Sequence, residues 1–243
     1  MFYFAFDGAE HFYGDREPAP GVRVSFVPDK LAVARERRTG RPVQLQLVHA
    51  DGMMVNEIAM DVAMWPSSLW RVTDLERMGP WPQSRWVRCR AFTVVEQVPA
   101  WLAAGPHGDA VEWVMNRARA LTAAQAEALA AQSDEAEEAL NRTLWARWLR
   151  ENTTCSPVGW ALTALQEVVT ESARRVGPHL FGPDEDDEVE IEVLDDPAWL
   201  RAWTAAYAAA LALGAPGFLT PEENAQLAHR WTTVFGTPDL PDR

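Results

Sequence analysis

Cysteine and lysine are nearly absent from this chain of 243 residues. The two cysteines, Cys89 and Cys155, are too few for a disulfide framework and lack the paired spacing of a zinc site. Of the 22 basic residues, Lys30 is the one lysine and 21 are arginine, which fits the codon usage of a GC-rich bacterial genome. The arginines are therefore not interpreted as selected for anion recognition, and the scarce cysteines predict a reducing compartment.

The short motifs that mark common enzymes are also missing. The sequence has no Gly-x-Ser-x-Gly, Walker loop, Gly-x-Gly-x-x-Gly or His-Glu-x-x-His. Its five histidines lack metal-ligand spacing, so we predict no metal and no cofactor. No basic start with an apolar run of signal-peptide length is visible, and the Ala/Leu-rich run 205–215 is too short to cross a bilayer. We expect a cytoplasmic protein with no membrane association.

Charge is distributed unevenly along the chain. Residues 1–105 carry 12 acidic and 12 basic side chains, whereas residues 106–243 carry 23 acidic and 10 basic ones and supply the whole formal net charge of −13. Such a field repels nucleic acid, because binding to phosphates requires cationic side chains that displace counterions. Nucleic acid is therefore not an expected partner, and the asymmetry indicates two regions.

The first region, residues 1–105, is predicted to be strand-rich and mostly antiparallel. Segments of strand length with alternating or β-rich character are separated by prolines. These predicted strands are 2–6, 22–26, 43–48 and 86–95. One short helix is predicted at about 30–38, with Leu31 and Ala34 on its inner side, and Thr39-Gly40-Arg41-Pro42 would end it.

The second region, residues 106–243, is predicted to be a helical bundle. No glycine or proline occurs between Gly108 and Pro157, an interval with helical apolar periodicity. Helix starts are indicated by four local signals, which are Asp109 with Glu112, Thr122 with Gln125, Asp196 before Pro197, and Thr220 with Glu223. The expected fold class is therefore α+β, in which the bundle includes one short acidic strand or loop.

The acidic segment 184–196 holds nine carboxylates in thirteen positions. The simplest interpretation is a solvated loop that leads into an edge strand, whose charges discourage edge-to-edge pairing. A second is a calcium site, although the segment lacks the glycine of the EF-hand loop. A third is a docking surface for a basic protein partner, whose capture would weaken with rising salt. Its binding residues would be Asp184, Asp186, Asp187 and Glu188.

Four side chains are candidate catalytic groups. His107 beside Asp109 places an imidazole that titrates near neutrality next to a carboxylate at a helix start. The alternative is a surface histidine beside a helix-capping aspartate. Glu190 and Glu192 have the Glu-x-Glu spacing of ADP-ribosyltransferases and resemble that family over three residues. The resemblance implies a carboxylate pair that binds ribose and polarises its glycosidic bond.

A further candidate binding surface lies on the predicted strand 86–95. Trp86, Arg88 and Arg90 alternate with apolar residues, so they would share one strand face on which guanidinium groups stack on indole. This face is either a ligand surface or a solvated sheet face covered by arginines.

Two functions of different classes follow. The first is a non-catalytic interaction or regulatory protein whose acidic helical region binds a basic protein partner, as immunity and antitoxin proteins do. The second is an enzyme or small-ligand-binding protein with a site in the cleft between the two regions. The cleft would use His107, Asp109 or the carboxylates of the acidic strand. The oligomeric state is not predicted.

Overall fold

The computed structural model describes residues 2–6, 14–26, 33–35, 42–44, 53–56, 68–78, 86–133, 135–151, 157–183 and 192–239. The chain separates into two compact units, Met1–Ala103 and Ala104–Arg243. Described strands dominate the first unit and helices the second, which confirms the predicted α+β class. No helix in the described part of the chain is both long and apolar enough to cross a membrane.

The first unit is built around an antiparallel sheet that closes on itself. Its described strands are β1 (Phe2–Phe6), β2 (Arg23–Ser25), β3 (Val33–Arg35), β4 (Pro42–Gln44), β5 (Met53–Asn56), β6 (Ser68–Arg77) and β7 (Trp86–Val98). Five of them form a sheet of order β2-β7-β5-β1-β6, and β6 also pairs with β7. The long strand β7 therefore bonds β6 along one edge and β5 and β2 along the other. Closure of this kind pairs edges that an open sheet exposes.

The core of the first unit fills the inside of this sheet. Phe4 of β1 and Phe92 of β7 place their ring centroids 4.9 Å apart. Alternation along each strand directs these rings and their neighbours to one face. The buried cluster consists of Phe4, Val24, Val72, Cys89, Phe92 and Val94.

The short helix predicted at 30–38 is wrong. Val33–Arg35 is strand β3, and it pairs antiparallel with β4 so that Val33 lies opposite Gln44. Two inward residues, Leu31 and Ala34, are too few to establish a helical period, whereas β-branched Val33 favours extended backbone. Of the predicted helix stop Thr39-Gly40-Arg41-Pro42, the first three residues lie outside the described residues, and Pro42 is the first residue of β4.

Two strands of the sheet were not predicted, namely β5 and β6. The predicted strands 2–6 and 86–95 are confirmed by β1 and β7, and 22–26 contains β2. The predicted strand 43–48 overlaps β4 at its start, and residues 45–48 lie outside the described residues. In β6, pairing with β7 shifts between Thr73 and Glu76, and Asp74 has a φ of 49°. The resulting bulge disturbs the alternation that identifies a strand.

The second unit is a bundle of helices with one small hairpin. Its described helices are α1 (Gly108–Arg119), α2 (Ala123–Ala131), α3 (Glu135–Glu151), α4 (Pro157–Val176), α5 (Pro197–Gly214) and α6 (Pro221–Phe235). The hairpin pairs β8 (Phe181–Pro183) with β9 (Glu192–Leu194). Short 3₁₀ turns lie at Ala100–Ala104, Pro178–Leu180 and Pro216–Phe218.

Helix starts follow the local signals in three cases. Thr122 and Thr220 each form a capping box with the residue three positions later. Asp196 accepts hydrogen bonds from the amides of Ala198 and Trp199 at 2.9 and 3.1 Å. The prediction that Asp109 caps α1 is wrong, because the N-cap position is occupied by His107, two residues earlier. Asp109 lies inside the first turn, where its negative charge still suits the helix dipole.

Helix α5 is the centre of the bundle. It packs against α1, α2, α4 and α6, and it is apolar around most of its circumference, as expected of a buried helix. Most of its buried residues are alanines, which allow neighbouring backbones to approach closely. At its end, a Cβ added to Gly214 would lie 2.6 Å from Val111 Cγ2 of α1.

Helix α4 completes the hydrogen bonding at the end of α1. The hydroxyl of Ser172 lies 2.8 Å from the carbonyl oxygens of Ala118 and Arg119, to either of which it donates its single proton. Arg175 donates to Ser172 Oγ and also to the Arg119 carbonyl. These bonds supply partners for carbonyl groups that a helix end leaves unpaired.

Arg147 of α3 holds the start of α6. Its guanidinium donates to both carboxylate oxygens of Glu223, at 3.2 and 3.1 Å, and to the Phe218 carbonyl at 2.8 Å. It also lies over the Phe218 ring, 4.5 Å from the centroid. A bidentate arginine–carboxylate pair of this geometry is stronger than an ordinary surface ion pair.

We expect this clamp to weaken in acid. The hydrogen bonds from Arg147 and from the Thr220 amide hold the pKa of Glu223 below its ordinary value of 4.5. A carboxyl whose pKa is lowered by folding stabilises the protein above the unfolded-state pKa, and this contribution is lost as the pH falls through the folded-state pKa. The stabilities of the wild type and Glu223→Gln in urea unfolding should differ most well above pH 4.5, and the difference should shrink as the pH falls below 4.5. A constant difference across this range would contradict the expectation.

Candidate functional site

The predicted acid–base pair lies at the start of α1. His107 is half-buried at the N-cap position and makes no side-chain capping bond, while Asp109 Oδ1 accepts a hydrogen bond from the Ala110 amide at 2.9 Å. Burial and the nearby Asp109 charge raise the pKa of Glu112 one turn later. The arrangement is accounted for by the helix start, and its catalytic role stays a prediction.

Most of the acidic segment lies outside the described residues. Those candidates are Asp184, Asp186, Asp187, Glu188 and Glu190. Glu192 is the first residue of β9 and pairs with Pro183 of β8. The docking surface and the Glu-x-Glu site therefore stay predictions from the sequence.

Of the candidate face on β7, the side chains of Arg88 and Arg90 are among the described ones. Arg90 is exposed and Arg88 is half-buried, whereas the intervening Cys89 is fully buried. The backbone of Trp86 pairs with Asn56 of β5. Burial raises the pKa of the Cys89 thiol to about 12, so this thiol is not a nucleophile at neutral pH. From Arg88 to Ala91, more exposed arginines alternate with buried residues as predicted. The use of this strand face as a ligand surface stays a prediction.

A groove in the helical unit is the best-formed candidate site. It has a volume of about 710 Å³ and lies among α3, α4 and α5. Helices α4 and α5 pack closely together, whereas α3 meets α5 through long side chains, which leaves room between them. The lining comprises Glu138, Asn141, Arg142 and Trp145 of α3, Leu162, Thr163 and Gln166 of α4, and Pro197, Leu200, Arg201, Trp203, Thr204 and Tyr207 of α5.

Three aromatic rings form one wall of this groove. Tyr207 stands nearly perpendicular to Trp145, with centroids 5.0 Å apart, and to Trp203, with centroids 6.2 Å apart. Leu200 beside them is 37% exposed, one of the larger exposed apolar side chains among the described residues. Burial raises the pKa of Tyr207 far above its ordinary value, so its hydroxyl stays protonated and available as a donor at neutral pH.

Three polar atoms of the lining residues are buried without a partner. They are Asn141 Oδ1, Trp203 Nε1 and Tyr207 Oη, and none forms a hydrogen bond within the part of the chain that the structure describes. Buried polar groups are nearly always paired in native proteins, because an unpaired one costs roughly 1–3 kcal/mol. An acceptor, a donor and a hydroxyl thus belong to residues of one groove and are unused by the fold.

The charged groups of the groove are Glu138, Arg142 and Arg201. Glu138 accepts a hydrogen bond from the Ser133 hydroxyl at 2.6 Å and lies 4.0 Å from Arg201. Arg142 is exposed and forms no hydrogen bond or ion pair with any other described residue. Glu138 and Arg201 therefore interact with other groups of the protein, whereas Arg142 has no such partner among the described residues.

A smaller cavity of about 440 Å³ lies between α6 and the adjoining ends of α2 and α3. It is lined by Gln132, Glu137, Ala225, Gln226 and His229. The Glu137 carboxylate binds Arg230 Nε at 2.8 Å in a buried pair and so serves the fold. Among the described residues that line this cavity, the imidazole of His229 is the one aromatic ring. The groove among α3, α4 and α5 is the more developed site.

The groove residues were not identified as a site from the sequence. In the sequence alone, Leu200, Trp203 and Tyr207 recur with Trp199 at helical spacing, which predicts that all four belong to the apolar face of one helix. The structure buries Trp199 but leaves Leu200 exposed, with Trp203 and Tyr207 half-buried. The available signal was that α5 has an aromatic stripe in addition to its alanine-rich faces, which is more apolar surface than one core contact needs.

Comparisons of the chain with protein-family models, with curated proteins and with solved structures found no match. Within the described residues, no group of three or more His, Cys, Asp or Glu side chains could hold a metal ion. The function of the groove is therefore inferred from its own geometry and chemistry.

Proposed function

We propose that the helical unit binds a small organic molecule with a flat apolar ring in the groove among α3, α4 and α5. The observation that supports this most directly is the wall of three aromatic rings, those of Trp145, Trp203 and Tyr207, beside an open volume of about 710 Å³. Ligand sites in proteins typically combine apolar walls with a few polar groups that fix orientation.

The polar atoms indicate the complementary groups of such a ligand. Asn141 Oδ1 is an acceptor and requires a donor on the ligand, whereas Trp203 Nε1 is a donor and requires an acceptor. Tyr207 Oη can take either role. These three atoms have almost no solvent-accessible area, so a ligand would pair them only after their side chains turn toward the groove.

The size of the groove favours a small molecule over a protein segment as the occupant. Its volume of about 710 Å³ lies within the range of about 300–1,000 Å³ typical of small-molecule sites. The aromatic rings of Trp145, Trp203 and Tyr207 could then pack against a planar ring in offset or edge-to-face geometry.

The chemistry of the lining favours recognition rather than catalysis. Among the described lining residues there is no histidine, cysteine or aspartate, and Glu138 already accepts from Ser133. Tyr207 stays protonated at neutral pH and can donate a hydrogen bond but does not act as a base. We therefore assign the groove a binding or regulatory role.

Filling the groove should abolish binding of a planar apolar probe. N-phenyl-1-naphthylamine, an uncharged two-ring fluorophore, is expected to bind the wild type saturably with one-to-one stoichiometry. Thr163 is an exposed residue of α4 that lines the groove, so Thr163→Trp occupies the space without disturbing the core. The affinity for the probe should fall by about tenfold or more, as expected when a bulky side chain excludes a ring from its pocket.

The matched control is Glu171→Trp, an exposed position two turns further along α4 that does not line the groove. It adds the same side chain to the same helix and should leave probe affinity unchanged. Saturable binding that Thr163→Trp leaves intact, or no saturable binding to the wild type, would refute the proposed function.

A further inference from the structure

We infer that the ligand of this groove is an anion and that Arg142 recognises its acidic group. The inference rests on the proposed function, since it specifies the chemistry of a ligand in the same groove. It assigns to Arg142 a direct binding role that the helical fold does not require.

The local charge of the groove opposes that of its surroundings. Residues 106–243 sum to −13, yet the groove is lined by two arginines and one glutamate and so carries a surplus of one positive charge. Glu138 and Arg201 partly neutralise one another at 4.0 Å. The uncompensated charge of the groove is therefore that of Arg142.

Arg142 is placed where it can reach a ligand seated on the aromatic wall. It precedes Trp145 by three positions on α3, so these two side chains are neighbours on the helix surface, and Asn141 lines the same groove. A ligand whose ring packs against Trp145 would thus have its edge near both Asn141 and Arg142. The planar guanidinium fork matches a carboxylate, sulfonate or phosphate oxygen pair.

An arginine without a partner is informative in this unit because acidic side chains outnumber basic ones there by 23 to 10. Arg147 is engaged with Glu223 and Arg230 with Glu137. Arg119 and Arg150, like Arg142, form no ion pair with a described residue, but neither of them lines the groove. Arg142 contributes neither an ion pair nor a hydrogen bond to the described structure. Apolar groove walls also lower the local dielectric, which strengthens its attraction for a bound anion.

Two probes with one ring system test this inference. 8-Anilinonaphthalene-1-sulfonate is N-phenyl-1-naphthylamine with a sulfonate added, so the two differ in charge at nearly constant shape. Arg142→Gln should weaken binding of the sulfonate by about five- to tenfold, as expected for loss of one charge-assisted contact, and leave binding of the uncharged amine unchanged. Rising salt should weaken binding of the sulfonate to the wild type, and it should have little effect on the amine or on sulfonate binding to Arg142→Gln.

The control variant is Arg150→Gln, which removes an exposed arginine of the same helix that does not line the groove. It should leave both probes unaffected. The role of Arg142 would be overturned if Arg142→Gln bound the sulfonate as tightly as the wild type does, or if it lost affinity for both probes equally. It would also be overturned if Arg150→Gln weakened sulfonate binding as much as Arg142→Gln does. In those cases, binding of the amine that Thr163→Trp abolishes would still support the groove. If neither probe binds saturably, the proposed function and this inference both fail.

Discussion

Replacing Glu137 by alanine is expected to lower the free energy of unfolding of the helical unit by about 3–5 kcal/mol. The Arg230 side chain is 1% exposed and that of Glu137 is 5% exposed, and Arg230 Nε donates to Glu137 Oε1 at 2.8 Å. Arginine keeps its proton at any pH that a folded protein tolerates. Removal of the carboxylate therefore leaves a buried positive charge without its counterion.

The remaining donors of Arg230 add to this cost. Its Nη1 and Nη2 are buried and have no hydrogen-bond partner among the described residues. With Glu137 removed, the guanidinium would lose the charged partner at Nε as well. Breaking a buried pair from one side is far more damaging than removing both charges, because the surviving ion cannot regain its hydration.

A rescue variant separates this mechanism from a simple loss of packing. Glu137→Leu combined with Arg230→Met removes both charges and should restore much of the stability that Glu137→Ala loses. Thr143→Ala, at an exposed position of the same helix, should change stability by less than about 0.5 kcal/mol. Urea unfolding measures all three. A small effect of Glu137→Ala would show that water or a conformational shift resolvates Arg230.

Replacing Phe92 by alanine is expected to destabilise the strand-built unit by about 3–5 kcal/mol. Phe92 is fully buried at the centre of β7, where its ring contacts that of Phe4 on β1. Its backbone pairs with Val24 of β2. The cavity left by the ring would open at the point where three strands share their core, so little nearby side-chain volume can collapse into it.

Hydrogen exchange on β7 measures this effect within the first unit. The amides of β7 should lose about two to four orders of magnitude of protection in Phe92→Ala, since about 1.4 kcal/mol corresponds to tenfold. Gln97→Ala, an exposed position of the same strand, should leave protection nearly unchanged. Unaltered exchange in Phe92→Ala would mean that the ring contributes little to the closed sheet.

Helices were predicted well from the sequence because their signals are local. Thr122 with Gln125, and Thr220 with Pro221 and Glu223, specify helix starts within four residues, and the structure has the corresponding capping boxes. The exception is Asp109, because α1 begins two residues earlier than a cap at Asp109 predicts, with His107 at the N-cap position. A carboxylate is also favourable inside the first turn of a helix, so the presence of an aspartate does not by itself identify the first helical residue.

Strands were predicted less completely because their stabilising partners are distant in sequence. Strand β5 has four residues, and its pairing partners on β7 begin thirty positions after its last residue, at Trp86 opposite Asn56. The false helix at 30–38 has the same origin, since only the pairing with β4 identifies Val33–Arg35 as a strand. Short segments without their neighbours carry too few residues to distinguish a period of two from a period near 3.6.

The groove could not be predicted because no single segment contains it. Trp145, Thr163 and Tyr207 come from three helices and are brought together by bundle packing. The sequence showed each of these helices as amphipathic or apolar but did not show which apolar residues the core would leave uncovered. The unpaired state of Trp203 Nε1 and Tyr207 Oη is visible only when every surrounding element is in place.

The alanines of α5 bear on how this protein can change over evolutionary time. A methyl side chain has no chemistry to offer a ligand, yet those of Ala205, Ala206 and Ala209 set the distance at which neighbouring helices stand from α5. Any larger residue there would force the bundle apart and move Trp203 and Tyr207 with it. New ligand preferences would therefore arise more readily by exchange of the aromatic and arginine side chains of the groove than by substitution of the buried alanines of α5.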